Sequence, residues 1–211
     1  IPAYILSKKK GFNFVECDVA FTADDVAVLL HDDTIDRTSN GTGTISALNY
    51  DDIKDLSFHY NKSKSYTYTH YEGVKIPKLS EFLVYCKCLG LHPYIELKSS
   101  GSYTQAQIAK IVAEVQACGM QGKVSYISFN LNFLTWIKDI DKTARLGYLT
   151  SNHAISTVIK NTTSLRTGSN EVFLDLDIRA LTNSINNDAT NNYITACINA
   201  DLPLEVWTIN D

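Results

Sequence analysis

Short β-rich runs punctuate the chain at 13–21, 26–31, 93–97, 123–129, 145–150, 171–177 and 204–209. In the first, Val15, Cys17 and Val19 alternate with Glu16 and Asp18; in the third, Ile95 and Leu97 alternate with Glu96 and Lys98. A period of two is that of a strand, so each set occupies one face. Between the runs the apolar spacing changes to three and four. Thr104–Met120 carries Ile108, Ile111, Val112, Val115 and Cys118 at that spacing, and Ser80–Leu89 carries Phe82, Leu83, Cys86 and Leu89. Both patterns predict amphipathic helices. Further helices are expected around Leu131–Ile140, Ala154–Lys160 and Ala189–Ala200, and one over Ile1–Lys10 that Gly11 stops. Arg37–Tyr50 reads as a polar loop, tied down by Arg37, in which Gly41 and Gly43 supply positive φ or close approach. Asn61–Tyr71 is the least ordered-looking stretch.

This alternation with short connections predicts a parallel sheet covered by helices. The 211 residues fit one domain. The pattern opens on a helix and closes on a strand. The expected architecture is therefore a somewhat distorted TIM-type (β/α)8 barrel, with this chain lacking the first strand and the last helix. An open doubly wound sheet fits less well, because no glycine-rich fingerprint follows the first strand.

Only Thr22-Ala23-Asp24-Asp25 separates the first two strands. So short a link cannot be a parallel crossover; it must be a hairpin or a sharp bend. A turn centred near Asp24 sets Asp18 opposite Leu30 and Cys17 opposite His31. That brings His31 to the Glu16/Asp18 pair.

Carboxylates aimed into a sheet are costly unless something neutralises them. Glu16, Asp18 and Glu96, with Lys98 and His31, therefore point to a hard metal ion and acid–base chemistry. Trp207, at the end of the last strand, is placed to wall a pocket. Ser128 lacks a His/Asp pair, so a serine hydrolase is a poor reading. His59, His70, His92 and His153 are assigned no role.

A net charge of −4 argues against a nucleic acid as the main partner. No apolar run approaches the roughly 18 residues of a membrane-spanning helix. Ile1-Pro2-Ala3-Tyr4 is not a signal peptide. The cysteines (Cys17, Cys86, Cys88, Cys118 and Cys197) follow no disulfide framework and are read as small core residues, with Cys17 turned away from the site.

Phe14-Val15-Glu16-Cys17-Asp18-Val19, then Thr22, Asp24, Val28, His31-Asp32, Asp36-Arg37-Thr38 and Asn40-Gly41-Thr42-Gly43, resembles the glycerophosphodiester phosphodiesterases. Ile76-Pro77-Lys78-Leu79-Ser80-Glu81, Ile95-Glu96-Leu97-Lys98, Ile127-Ser128-Phe129 and Val206-Trp207-Thr208-Ile209-Asn210 continue the match in order. The resemblance implies a metal-dependent TIM barrel that cleaves glycerophosphodiesters, as small-molecule substrates, into sn-glycerol 3-phosphate and an alcohol. It implies Glu16, Asp18 and Glu96 as ligands for Ca²⁺ or Mg²⁺. Lys98 is then the phosphoryl-binding residue, Trp207 lines the pocket, and His31 is one of two catalytic histidines. The family's other histidine lies in a His-Arg-Gly motif on the first strand, followed by Glu-Asn-Thr. Ile1-Pro2-Ala3-Tyr4 looks like the residues directly after that motif, in agreement with the strand count. Two rivals share the pattern: a lyase-type phospholipase that stops at a cyclic phosphate, and a non-catalytic phosphate-binding relative.

Overall fold

The structure, a computed structural model, describes residues 1–58, 73–98, 103–151, 154–188 and 190–207. Helix α1 (Pro2–Lys9) leads into β1 (Phe14–Phe21) and β2 (Ala27–Leu29). A single 3₁₀ turn (Ile45–Ala47) and the short α2 (Tyr50–Ile53) follow. The remainder alternates: α3 (Leu79–Leu89), β3 (His92–Leu97), α4 (Gln105–Ala117), β4 (Ser125–Ser128), α5 (Leu131–Ile140), β5 (Arg145–Thr150), α6 (Ile155–Thr163) and β6 (Val172–Asp177). Helices α7 (Ile178–Asn187) and α8 (Tyr193–Asn199) precede β7 (Leu204–Trp207).

The strands form one sheet in the order β2-β1-β3-β4-β5-β6-β7. β2 is antiparallel to β1, and every other pairing is parallel. The β1–β2 register pairs Val19 with Leu29 and Phe21 with Ala27, and the Leu30 N–H donates to the Asp18 carbonyl at 3.0 Å. This is the register expected from a turn centred near Asp24. The turn is closed by Thr22, whose hydroxyl donates to Asp24 Oδ1 at 2.6 Å and accepts from the Val26 N–H at 2.9 Å.

The sheet is rolled. In a flat sheet β3 and β7 would lie roughly 19 Å apart, four strand spacings. Yet the Tyr94 hydroxyl on β3 donates to Glu205 Oε1 on β7 at 3.1 Å, and Arg145 on β5 reaches both. Those contacts cross the interior of a distorted (β/α)8-type barrel. Its outer face buries Val15, Cys17, Val19, Ile95, Leu97, Leu146, Leu174 and Leu176 against the helices. Among the described residues, the Phe14–Cys17 flank of β1 and the outer flank of β7 have no strand partner.

Several local expectations change. The helix expected over 189–200 is found as α8, and α7, which follows β6 without a break, is an additional helix beyond those expected. The Asn-, Ser- and Thr-rich sequence of α7 buries no residue completely, although Ile178, Leu181 and Ile185 recur at helical spacing and Leu181 packs against the core. Cys86 and Cys197 are buried with Cys17, but Cys88 is exposed and Cys118 only half-buried; all are free thiols. Cys86 and Cys88 lie two apart on α3 and so cannot share its buried face. Arg37 does not secure the loop after it. It turns back to Asp32. His92 is held in the structure by Ser125 Oγ, 2.8 Å from Nε2, and by the rings of Phe14 and Tyr94. Gly43 has φ +127°, while a Cβ on Gly41 would stand 2.5 Å from Leu56 Cδ1, so each glycine answers one of the two stated needs. Asn61–Tyr71, His59, His70 and His153 lie outside the described residues.

Candidate active site

Parallel pairing of β1 with β3 sets Asp18 directly beside Glu96. Glu16 lies one pleat earlier on the same inner face. Each of the three offers a carboxylate oxygen within 4.8 Å of the others. Lys98, just past the end of β3, places Nζ 2.8 Å from Asp18 Oδ1 and 3.1 Å from Glu96 Oε1.

The charges do not balance, since one ammonium faces three carboxylates. Burial, then repulsion from Asp18 and Glu96, pushes the Glu16 carboxyl up to about 8. The Glu16 side chain still reaches solvent, so water screens part of that push. Burial raises Glu96 as well; the attraction of Lys98 opposes this and repulsion from Asp18 adds to it. For Lys98 burial works against the charge, but the two carboxylates outweigh it and hold the ammonium above its ordinary value. Glu96 Oε1 is buried, with the Lys98 ammonium at 3.1 Å shared between it and Asp18. Three converging hard oxygen donors that share a single ammonium fit a divalent cation of the Ca²⁺/Mg²⁺ class.

These groups open onto a cavity of about 450 Å³. His31 and Trp207 line it too, so all six residues singled out in the sequence meet at one place. His31 Nδ1 lies 2.8 Å from Asp32 Oδ1. The Asp32 carboxyl is held down at about 2, chiefly by hydrogen bonds from Arg37. An anionic acceptor at Nδ1 selects the tautomer that leaves the Nε2 lone pair free. Trp207 packs edge-on against Phe129 at 5.5 Å between centroids, and its indole N–H donates to the Asp175 carbonyl at 3.3 Å. Ser128 is structural: its hydroxyl donates to the Leu97 carbonyl at 2.7 Å.

The sequence reading missed two parts of this interior. Arg145 donates to Glu205 Oε1 at 2.7 Å, to Tyr94 Oη at 2.9 Å and to Ser125 Oγ at 2.6 Å, and its guanidinium stacks on Phe173 at 4.2 Å. This network fills the barrel near the starts of β3, β4 and β5. Asp175 is the other omission. Leu174-Asp175-Leu176-Asp177 carries the same alternating acids as Glu16-Cys17-Asp18, and that signal was there to be read.

A sequence model of the glycerophosphoryl diester phosphodiesterase family matches residues 1–211. The chain belongs to this family. A glycerophosphodiester phosphodiesterase of Bacillus subtilis is 32% identical over 130 residues, which cover 59% of this chain and 43% of that protein. Glycerophosphodiester phosphodiesterase 1 of Rattus norvegicus is 31% identical over 106 residues, covering 50% of this chain and 31% of the relative. The matched stretches thus span less than half the length of either relative. Among solved structures, an Oleispira antarctica phosphodiesterase in complex with the product sn-glycerol-3-phosphate superposes with a TM-score of 0.75 at 21% identity, over 98% of this chain and 76% of that one. At that identity the likeness carries the fold, and it agrees with the rolled sheet described above.

Proposed function

We propose that the chain is a metal-dependent phosphodiesterase that hydrolyses glycerophosphodiesters to sn-glycerol 3-phosphate and an alcohol. One observation carries the reading: three carboxylate oxygens within 4.8 Å of one another, beside Lys98, in a cavity that His31 also lines. The names and the bound product of the relatives support the substrate class.

In this reading Glu16, Asp18 and Glu96 hold Ca²⁺ or Mg²⁺. The cation supplies positive charge to the phosphoryl oxygens. Lys98 adds a second positive charge from the protein and aligns the phosphoryl group. His31 exchanges a proton with the substrate through Nε2, while Asp32 and Arg37 keep its ring oriented. Trp207 gives the carbon skeleton an apolar wall. The family pattern calls for a second histidine.

The test is hydrolysis of a panel of glycerophosphodiesters, with and without chelator, followed by phosphorus NMR. Release of glycerol 3-phosphate that stops on chelation is expected. A cyclic phosphate as sole end product would favour the lyase-type phospholipase. Phosphate binding without turnover would favour a non-catalytic relative.

A further inference from the structure

The geometry points to Asp175 as the residue that recognises the free hydroxyls of the substrate's glycerol arm, an inference that rests on the hydrolase reading and deepens it. Asp175 lies on β6 with Leu149 of β5 on one side and Glu205 of β7 on the other. Its side chain lines the same cavity as Glu16, Asp18 and Glu96. It is not one of the three carboxylates whose oxygens converge. Only 7% of the residue is exposed, and no hydrogen bond or ion pair to its carboxylate is found among the described residues.

A buried polar group without a partner costs free energy, so an unsatisfied carboxyl facing a cavity is best accounted for by what enters the cavity. Burial first, then repulsion from Glu205 and Glu96, raises this carboxyl against the attraction of Arg145, so it holds a proton more readily than a surface aspartate and can offer a donor as well as an acceptor. The chemistry of the ligand follows. A phosphate oxygen can only accept, and would pair with the acid form alone. An ammonium can only donate, and would leave the acid form's O–H without an acceptor. A hydroxyl does both and suits either state.

The surroundings select a short polyol. Trp207 is fixed beside Asp175 by its N–H donation to the Asp175 carbonyl, and Phe129, Ile127 and Leu149 continue the apolar lining. Carbon–hydrogen faces would lie on this wall, and hydroxyl groups would turn to Asp175, the acid of this lining that belongs neither to the converging carboxylates nor to the Arg145 network. The neighbouring Glu205 is already engaged by Arg145 and Tyr94.

The experiment compares binding of sn-glycerol 3-phosphate and methyl phosphate to the full chain by calorimetry, in Mg²⁺ and in Ca²⁺. The two probes share the phosphate and differ in the hydroxyl-bearing arm. The parent should favour sn-glycerol 3-phosphate by roughly ten- to a hundredfold, the range of one or two hydrogen bonds to a buried acid. Asp175→Leu should abolish that preference and leave methyl phosphate affinity unchanged. Asp175→Asn, which still donates and accepts, should keep most of it. A parent without preference, or a preference that survives Asp175→Leu, would overturn the proposal. So would an equal loss of both probes, which would make Asp175 a support for the phosphate site or the fold. A preference without diester hydrolysis would uphold the hydroxyl site and defeat the hydrolase reading; hydrolysis without preference would do the reverse. Failure to bind either probe would remove both.

Discussion

Asp32 Oδ1 stands 2.8 Å from His31 Nδ1, and Arg37 grips the same carboxylate through Nε at 2.6 Å and Nη2 at 2.9 Å. The histidine itself is exposed, so this chain of contacts, rather than packing, orients its ring. His31→Ala should lower kcat for glycerophosphodiester hydrolysis by about 10²–10⁴-fold, the usual contribution of one proton-transferring group. Asp32→Asn should cost about ten- to a hundredfold in kcat, because an amide no longer enforces the tautomer with Nε2 free. Neither change should move the metal Kd by more than about threefold. Steady-state kinetics and metal titration check both; a metal affinity that falls with kcat would place His31 in the cation site instead.

Cation binding should be linked to protons through Glu16. Burial and the neighbouring carboxylates raise its carboxyl, less than full burial would because the side chain is exposed, so towards the acid side of neutral it holds a proton that a cation must displace. Affinity for Mg²⁺ or Ca²⁺ should therefore rise with pH through the range in which Glu16 titrates, by up to about tenfold per unit. Calorimetry in two buffers of different ionisation enthalpy should count close to one proton released per ion. Glu16→Gln should weaken binding and flatten the pH slope. A steep slope in that variant would assign the proton elsewhere.

Asp175 makes stability depend on pH in a defined direction. Its carboxyl titrates near 7 in the folded chain, against about 3.9 when unfolded. Between those values the folded state keeps a proton that the unfolded state has lost, so this group's contribution is complete below about pH 4 and disappears as the pH climbs through 7. In chelator, Asp175→Asn should raise the urea midpoint at pH 8 relative to the parent and make the fall between pH 5 and 8 shallower. An unchanged pH profile would mean that Asp175 is ionised inside the fold.

Gly147 should resist enlargement. A Cβ there would lie 2.3 Å from Phe173 Cε2 and Cζ and 2.9 Å from Ile127 Cγ2. Gly147→Ala should destabilise by about 1–3 kcal/mol, the range for overpacking a filled interior. Phe173→Leu in the same chain should recover part of the loss. Additive losses from the two changes, measured by urea unfolding, would show that the ring and the glycine do not share this space.

The inner face of β1 and β3 was legible in the sequence because a strand's alternation is a local property. Glu16 and Asp18, and likewise Glu96 and Lys98, could be assigned to common faces from spacing alone, and the four-residue link after Phe21 set the register that carries His31 to the site. Family motifs then supplied roles that spacing could not. What closed the interior was not local. Arg145 meets Tyr94 and Glu205 from strands 51 and 60 residues away, and it does so only because the sheet curls. Asp175 reads in sequence as one more acid on a strand. Its isolation from partners depends on which side chains arrive from β5 and β7, and its company with Glu96 depends on the barrel's curvature. Periodicity determined which way each side chain points; tertiary structure decided what it meets, because distances between strands far apart in order are set by twist and curl and leave no period in the chain.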